Sequence, residues 1–252
     1  MDLIGAVEDN LAELLMRMGA AGGGVQRDDG RARWTIGGSP LDYHNAVVAV
    51  DLAGADAAIA ESLALMRERN VPGSWHVGPS LRPDELGPKL LSAGFEDGGS
   101  EPAMALALDE LTQEPLGPAG LEIREVESED ELVVWAETLA RGFGEGKLEA
   151  DWVSEIYRRE GFGDPWAHYL ARLDGEPVAT ATIFRTGDVA GVYFVMTVPE
   201  ARRQGIGAAI TRHAVRGSNA QYAVLGASSA GKPVYERLGF RTVGEIRIYE
   251  FH

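Results

Sequence analysis

Hydrophobic and polar positions along this chain fall into two alternating rhythms. Helical spacing covers residues 7–18, 55–69 and 84–92, and later residues 128–141, 149–159, 206–217 and 233–238. Strand-like runs lie between them, at residues 33–36, 46–52, 75–77 and 104–108. Further runs occupy residues 121–126, 167–173, 178–185, 191–198 and 222–225, and a strand pair is predicted over 240–251. Ser128-Glu129-Asp130-Glu131 is a capping-box pattern and opens a helix. Asp174-Gly175 between two strand-like runs predicts a tight hairpin. Strands mixed with helices, and a crossover after Val198, predict an α/β class with a mixed α+β sheet, partly antiparallel.

The densest Pro/Gly stretch between these elements is residues 113–120, which reads as a linker. It divides the chain into domains 1–115 and 116–252. The two halves run through a similar order of elements. Leu90-Leu91-Ser92-Ala93-Gly94-Phe95 also resembles Glu236-Arg237-Leu238-Gly239-Phe240, each a helix stopped by glycine before an aromatic strand start. An internal duplication accounts for both observations; chance recurrence of helix–glycine–aromatic junctions is the rival account.

Composition narrows the options. The 252 residues carry 45% hydrophobic and 25% charged side chains, an ordinary globular balance. The net charge is −16, with −11 over residues 1–115 and −5 over 116–252. Such an anion is repelled by phosphodiester backbones, so a nucleic-acid partner is not expected. The absence of cysteine excludes disulfides, Cys-ligated zinc and a thiol nucleophile, and fits a reducing cytoplasm. No apolar run is long enough for a membrane span, and Asp2 stands where a signal peptide would be basic, so neither is expected. His44 and His76 have no ligand-spaced partners, so no metal site is expected.

The most informative stretch is Val198-Pro199-Glu200-Ala201-Arg202-Arg203-Gln204-Gly205-Ile206-Gly207-Ala208. A strand ends and a helix begins within it. Glycines let backbone N–H groups approach a ligand, and a helix N-terminus carries partial positive charge, so such a turn suits a pyrophosphate. A nicotinamide fingerprint would need a third glycine at position 210, where Ile stands. Residues 226–232 match the spacing of a phosphate loop, but Pro233 replaces the magnesium-binding Ser or Thr. The same segment misses a Ser-hydrolase elbow by one position and has no Asp-then-His pair after it.

Arg202-Arg203-Gln204-Gly205-Ile206-Gly207, followed by Val234-Tyr235-Glu236-Arg237-Leu238-Gly239-Phe240, resembles the GNAT superfamily of acyl-coenzyme A-dependent acyltransferases over residues 120–251. The resemblance implies two GNAT-like domains in tandem, each a mixed central sheet flanked by helices. It implies that backbone groups of Val195, Met196 and Thr197 pair with the pantetheine arm. It implies that Arg202, Arg203, Gln204, Gly205, Ile206, Gly207 and Ala208 surround the pyrophosphate, chiefly through amides from Arg203 to Ala208. Tyr235 would be the general acid that protonates the departing thiolate; core packing is its alternative role. A phenol and a thiol have similar pKa values, which suits that transfer. Ser228 occupies a cofactor-side position where many relatives carry Asn.

Two departures stand out. The strand residues Val192-Tyr193-Phe194-Val195-Met196 include no carboxylate or histidine to take a proton from an acceptor ammonium. Glu145, Glu149, Asp151 and His168 are the candidates from neighbouring segments, each with a plain surface role as the alternative. In the first half the corresponding turn, Val50-Asp51-Leu52-Ala53-Gly54-Ala55, has no Arg-x-x-Gly-x-Gly, and Asp51 would repel a pyrophosphate. Trp75-His76-Val77-Gly78-Pro79, with Pro83-Asp84-Glu85-Leu86 and Gly94-Phe95 after it, resembles the degenerate first half of tandem GNAT proteins. One coenzyme site per chain is therefore expected. Trp152 or Trp166 could line an acceptor pocket.

The expected activity is acyl transfer, acetyl above all, from acetyl-coenzyme A to a primary amine of a small molecule or peptide. Direct attack in a ternary complex follows from the lack of cysteine. The acidic first half would steer a cationic amine. A catalytically inactive acyl-coenzyme A sensor or partner-binding scaffold is the alternative. The chain would act as a monomer or homodimer, without metal, membrane or nucleic acid.

Overall fold

Local chemistry sets the ends of the elements. The computed structural model describes residues 2–113, 117–143, 147–161 and 163–252. Helix α1 (Leu3–Ala21) starts where Asp2 Oδ1 accepts the Gly5 N–H at 3.2 Å. Helix α4 (Glu129–Phe143) forms half of the expected box: Ser128 Oγ accepts from the Glu131 amide, whereas Glu131 Oε2 accepts from the Glu127 amide, one residue before the capping position. At the hairpin between β7 (Trp166–Leu173) and β8 (Glu176–Thr186), Asp174 and Gly175 have φ of 52° and 89°. Two left-handed residues are what a tight hairpin turn with matching twist requires.

The chain forms two compact units, residues 1–103 with 242–252, and residues 104–241. The 113–120 linker thus falls within the range of unit 2. In unit 1, β1 (Val25–Asp28), β2 (Ala32–Ile36) and β3 (Ala46–Val50) are antiparallel neighbours. Strand β4 (Gly73–Val77) joins β3 in parallel, and β11 (Arg241–Phe251) pairs antiparallel with β4. The strand pair predicted over 240–251 is this single long strand. Helices α2 (Ala55–Arg69) and α3 (Pro83–Ala93) complete the unit. Trp34, Ile36, Leu63, Met66, Trp75, Leu86, Leu90 and Phe95 share its core.

Unit 2 contains β6 (Leu121–Glu125), β7, β8 and β9 (Val189–Thr197) in antiparallel succession. Strand β10 (Tyr222–Gly226) lies parallel to β9, and β5 (Glu96–Ala107), whose residues from Met104 belong to this unit, follows β10. Helix α6 (Ile206–Gly217) covers one face of the sheet. Ala171, Ala179, Ala181 and Ala190 share a core with Ile210, Ala214 and Val215, and such small side chains permit close helix–sheet packing. Helices α4 and α5 (Lys147–Glu160) pack together. Helix α7 (Lys232–Leu238) follows β10.

The two glycine stops close their helices in the same way. Gly94 and Gly239 have φ of 102° and 107°, and the amides of Phe95 and Phe240 reach back to Leu90 and Tyr235 carbonyls at 3.1 and 3.0 Å. Both phenylalanines are buried. No helix among the described residues is long and apolar enough to cross a membrane.

Candidate active site

Strand β9 is where the sheet of unit 2 opens. Its pairing with β10 joins Val189, Ala190 and Gly191 to Tyr222, Ala223 and Val224, and ends there. Toward β8, Thr182 faces Tyr193 and Thr180 faces Met196, so Phe194 and Val195 together oppose Ala181. This is a β-bulge, which bends and twists the strand that carries it. Phe194 has φ 51°, an uncommon conformation for a bulky residue, and its carbonyl accepts the Thr180 hydroxyl at 2.8 Å. Beyond the bulge the Val198 N–H donates to the Val178 carbonyl at 2.9 Å. Antiparallel alternation then directs the backbone of Met196 toward β8 and that of Thr197 away from it. Of these two residues, Thr197 faces the side that β10 has left.

The turn after β9 is held by Arg202. Its Nε donates to the Thr197 carbonyl at 3.0 Å and its other nitrogen to the Gly142 carbonyl at 2.8 Å. Two of the Arg202 guanidinium N–H groups thereby position the turn. Arg203 has φ 66° and Gly205 φ 80°, and both are exposed. Alternating left-handed residues turn successive N–H groups toward one concavity. Gly205 precedes α6 and no side chain caps that helix. The first intrahelical bond is Ala209 N–H to Gly205 carbonyl, so the amides of Ile206, Gly207 and Ala208 have no intrahelical acceptor. Ile206 and Ala208 bury their side chains in the core and fix the helix start. Among the described residues a Cβ at residue 207 would meet only Thr197 Oγ1, at 3.6 Å. The protein itself therefore leaves room for a methyl group there. Gln204 is exposed on the same turn.

Helix α7 supplies Tyr235. Its ring is partly buried against the unit 2 core and meets Phe240 edge-on, with centroids 5.8 Å apart. The Ser228 hydroxyl accepts the Gly231 N–H at 3.1 Å, and its carbonyl accepts the amides of Gly231 and Lys232. Ser228 thus builds the entry to α7. Pro233 sits in the first turn of α7, where a missing N–H costs nothing, and this accounts for proline at that place in the glycine-rich segment.

The candidate bases separate. Glu145 lies outside the described residues, as does the side chain of Glu149. Asp151 is exposed on α5. It lines a groove of about 410 Å³ between α4 and α5, together with Glu129, Asp130, Glu137, Glu155 and Arg158. His168 is buried, and desolvation lowers its pKa to about 3, so it is a neutral imidazole at physiological pH. Trp166 is buried and donates its indole N–H to Glu160 at 3.2 Å, whereas Trp152 is partly exposed.

The corresponding turn of unit 1 is filled by its own carboxylate. Asp51 Oδ1 accepts the Ala53 N–H at 3.1 Å, and Asp56 stands in the first turn of α2. The fold also brings His44 and His76 within electrostatic reach of each other, which their separation in sequence hid. Burial is the main cause that lowers their pKa values, to about 3 and about 4. His76 Nε2 lies 3.1 Å from Ser74 Oγ. No group of three or more metal-ligating side chains occurs among the described residues.

Residues 164–242 match the family model of the acetyltransferase (GNAT) domain. A GCN5-related N-acetyltransferase from Kribbella flavida has a similar structure, with a TM-score of 0.73 and 20% identity over 95% of this chain and 94% of that one. A functionally unknown conserved protein from Staphylococcus epidermidis gives 0.67 and 18%, over 90% and 93%. A tandem GNAT protein from the clavulanic acid biosynthesis pathway gives 0.62 and 17%, over 89% and 80%. No curated protein matches the sequence.

Proposed function

We propose, from the premise that residues 164–242 form an acetyltransferase (GNAT) domain, that the chain transfers an acyl group, acetyl above all, from acyl-coenzyme A to an amine. The observation that carries this reading is the course of β9. Its edge is left open by β10 at Gly191 and runs straight into a turn whose helix amides are uncapped. Such amides favour an anion, and Arg203 adds an exposed positive charge. The room at Gly207 fits close approach of a bulky group to the backbone. Acyl-coenzyme A would supply an activated thioester at this edge.

Residues of this chain would do the rest. The amides of residues 203–208 hold the diphosphate. Thr197, with Val195 and Met196 beside it, lines the path of the amide-bearing arm. The Tyr235 hydroxyl delivers a proton to the leaving sulfur. With no cysteine in the chain, the acceptor amine attacks directly, and positioning supplies much of the rate. Asp51 speaks for one coenzyme site, in unit 2, because its carboxylate takes the place of an anion in unit 1. The acid-lined groove between α4 and α5 supports a cationic amine as acceptor. We place the reaction in the cytoplasm.

Thiol release from acetyl-coenzyme A with a panel of amines tests the reading. Tyr235→Phe is expected to slow turnover by about 100-fold or more, the usual worth of a general acid. Equal turnover by both proteins takes Tyr235 out of its role. An inactive acyl-coenzyme A sensor is the second reading, favoured by the absence of a carboxylate or histidine on β9 and by Ser228 being engaged with Gly231. Calorimetric binding of coenzyme A with no turnover on any amine would select it.

A further inference from the structure

One group of side chains in unit 2 has no part in this reading. Trp135 of α4, Tyr157 of α5, Trp166 and His168 of β7, Phe184 of β8 and Phe194 of β9 form a continuous set of touching rings. Tyr157 and His168 have centroids 4.1 Å apart, Trp135 and His168 5.2 Å, and Trp135 and Tyr157 5.6 Å. Phe194 lies 5.9 Å from Trp135 and 6.2 Å from Tyr157. All are buried except Phe194, which is partly exposed.

Three polar atoms of this cluster have no hydrogen-bond partner among the described residues: Trp135 Nε1, Tyr157 Oη and His168 Nε2. Native interiors leave few such atoms, because each costs free energy, and three in one cluster are a concentration of them. Thr182 lies near enough to act on the Tyr157 phenol, but without the geometry of a hydrogen bond to it. The Thr182 hydroxyl is engaged with His168, whose Nδ1 stands 2.9 Å from Thr182 Oγ1. When that hydroxyl donates to Nδ1, the imidazole proton sits on Nε2. All three unspent atoms are then donors, and they call for an acceptor.

Charge decides which acceptor. Among the described residues no cation offsets the effect of burial on His168 or Tyr157, whereas the Glu160 carboxylate acts on Tyr157 and accepts the Trp166 indole N–H. An anion here would be buried beside a carboxylate with no counter-charge. An ammonium group has no lone pair to offer. A neutral carbonyl oxygen has two.

We propose that this ring cluster binds a neutral carbonyl group, of amide or ester type, on the acceptor molecule, through Trp135 Nε1–H, Tyr157 Oη–H and His168 Nε2–H. The proposal rests on the acyl-transfer reading, since Phe194 belongs to the strand which that reading assigns to the acyl donor. Phe194 is the one residue of the set that is partly exposed, so a group entering the cluster would have to displace its side chain. The three donors then select among amines by a feature remote from the nitrogen that reacts.

The test uses acetamide as the probe, with acetate and methylammonium as controls, titrated into the full chain. NMR follows the Trp135 indole N–H, identified by its loss in Trp135→Phe, and the His168 ring nitrogens. Acetamide is expected to shift both signals saturably while the two ions do not. Tyr157→Phe should weaken the acetamide response about 5-fold, the worth of one neutral hydrogen bond. His168→Gln, which keeps an N–H donor, should preserve it better than His168→Leu. No response in the native chain, or an equal response to acetate, overturns the proposal without any variant. Calorimetry with coenzyme A on the same sample reports separately on the acyl-transfer reading, so the two can fail independently.

Discussion

Lowering the pH should weaken this protein well before its surface carboxylates titrate. His44 and His168 are almost fully inaccessible, at 2% and 1% exposure, and burial lowers both pKa values to about 3. In the unfolded chain each imidazole titrates near 6.5. Between these values the unfolded state binds a proton that the native state refuses, so stability falls as pH falls. The contribution is intact above the unfolded pKa and is lost progressively down to the folded one. At pH 5 the unfolded imidazole is almost wholly charged, and the linkage relation gives a loss of about 2 kcal/mol per buried histidine relative to pH 7.5. His76, with its pKa lowered to about 4, acts in the same direction and raises the loss in unit 1. Glu101 and Glu125, whose pKa values burial raises, oppose the trend as pH approaches the carboxylate range. A domain with a total stability of about 5–15 kcal/mol feels such losses strongly. Urea unfolding at pH 7.5, 6 and 5 measures them. Equal stability at pH 7.5 and 5, or a full pH slope retained in a His44→Gln/His168→Gln double variant, would refute the reasoning.

Two glycines give sharper local tests. Gly205→Ala forces a side chain into φ 80° and toward the Gly117 backbone, 3.4 Å away, so we expect a loss of about 1 kcal/mol in urea unfolding, with weaker coenzyme A binding by calorimetry. Gly142→Ala would drive its Cβ into the Met196 side chain, an overlap that should cost about 1–3 kcal/mol. Met196→Ala in the same chain should recover part of that stability, and no recovery would show that the clash lies elsewhere.

Much of the fold was legible because punctuation residues sit at the element ends. Gly54 and Asn70, the latter left-handed at φ 51°, bracket α2 at the predicted residues 55–69. Asp174-Gly175 and the two glycine stops likewise fell where their φ values demand. Strand β1 was missed because Val25-Gln26-Arg27-Asp28 is short, mostly polar and at the sheet edge. The Phe194 bulge had no sequence signal, since it contains neither glycine nor proline. Arg202 was read as an anion ligand in sequence, and only the turn itself shows that its guanidinium also donates to two carbonyls. The ring cluster draws on five elements from Trp135 to Phe194, and no local spacing brings such residues together. Hydrophobic rhythm identified the 241–251 segment as extended, but rhythm is silent on pairing partners, so its place in unit 1 was hidden.

That placement bears on biosynthesis. Strand β4 waits for β11, and the whole of unit 2 is encoded between them. During translation unit 1 therefore stays incomplete until a distant segment has left the ribosome, with one flank of β4 available to wrong partners meanwhile. Slow elongation or truncation near Arg241 would harm residues 1–103 first, although every one of them had already been made.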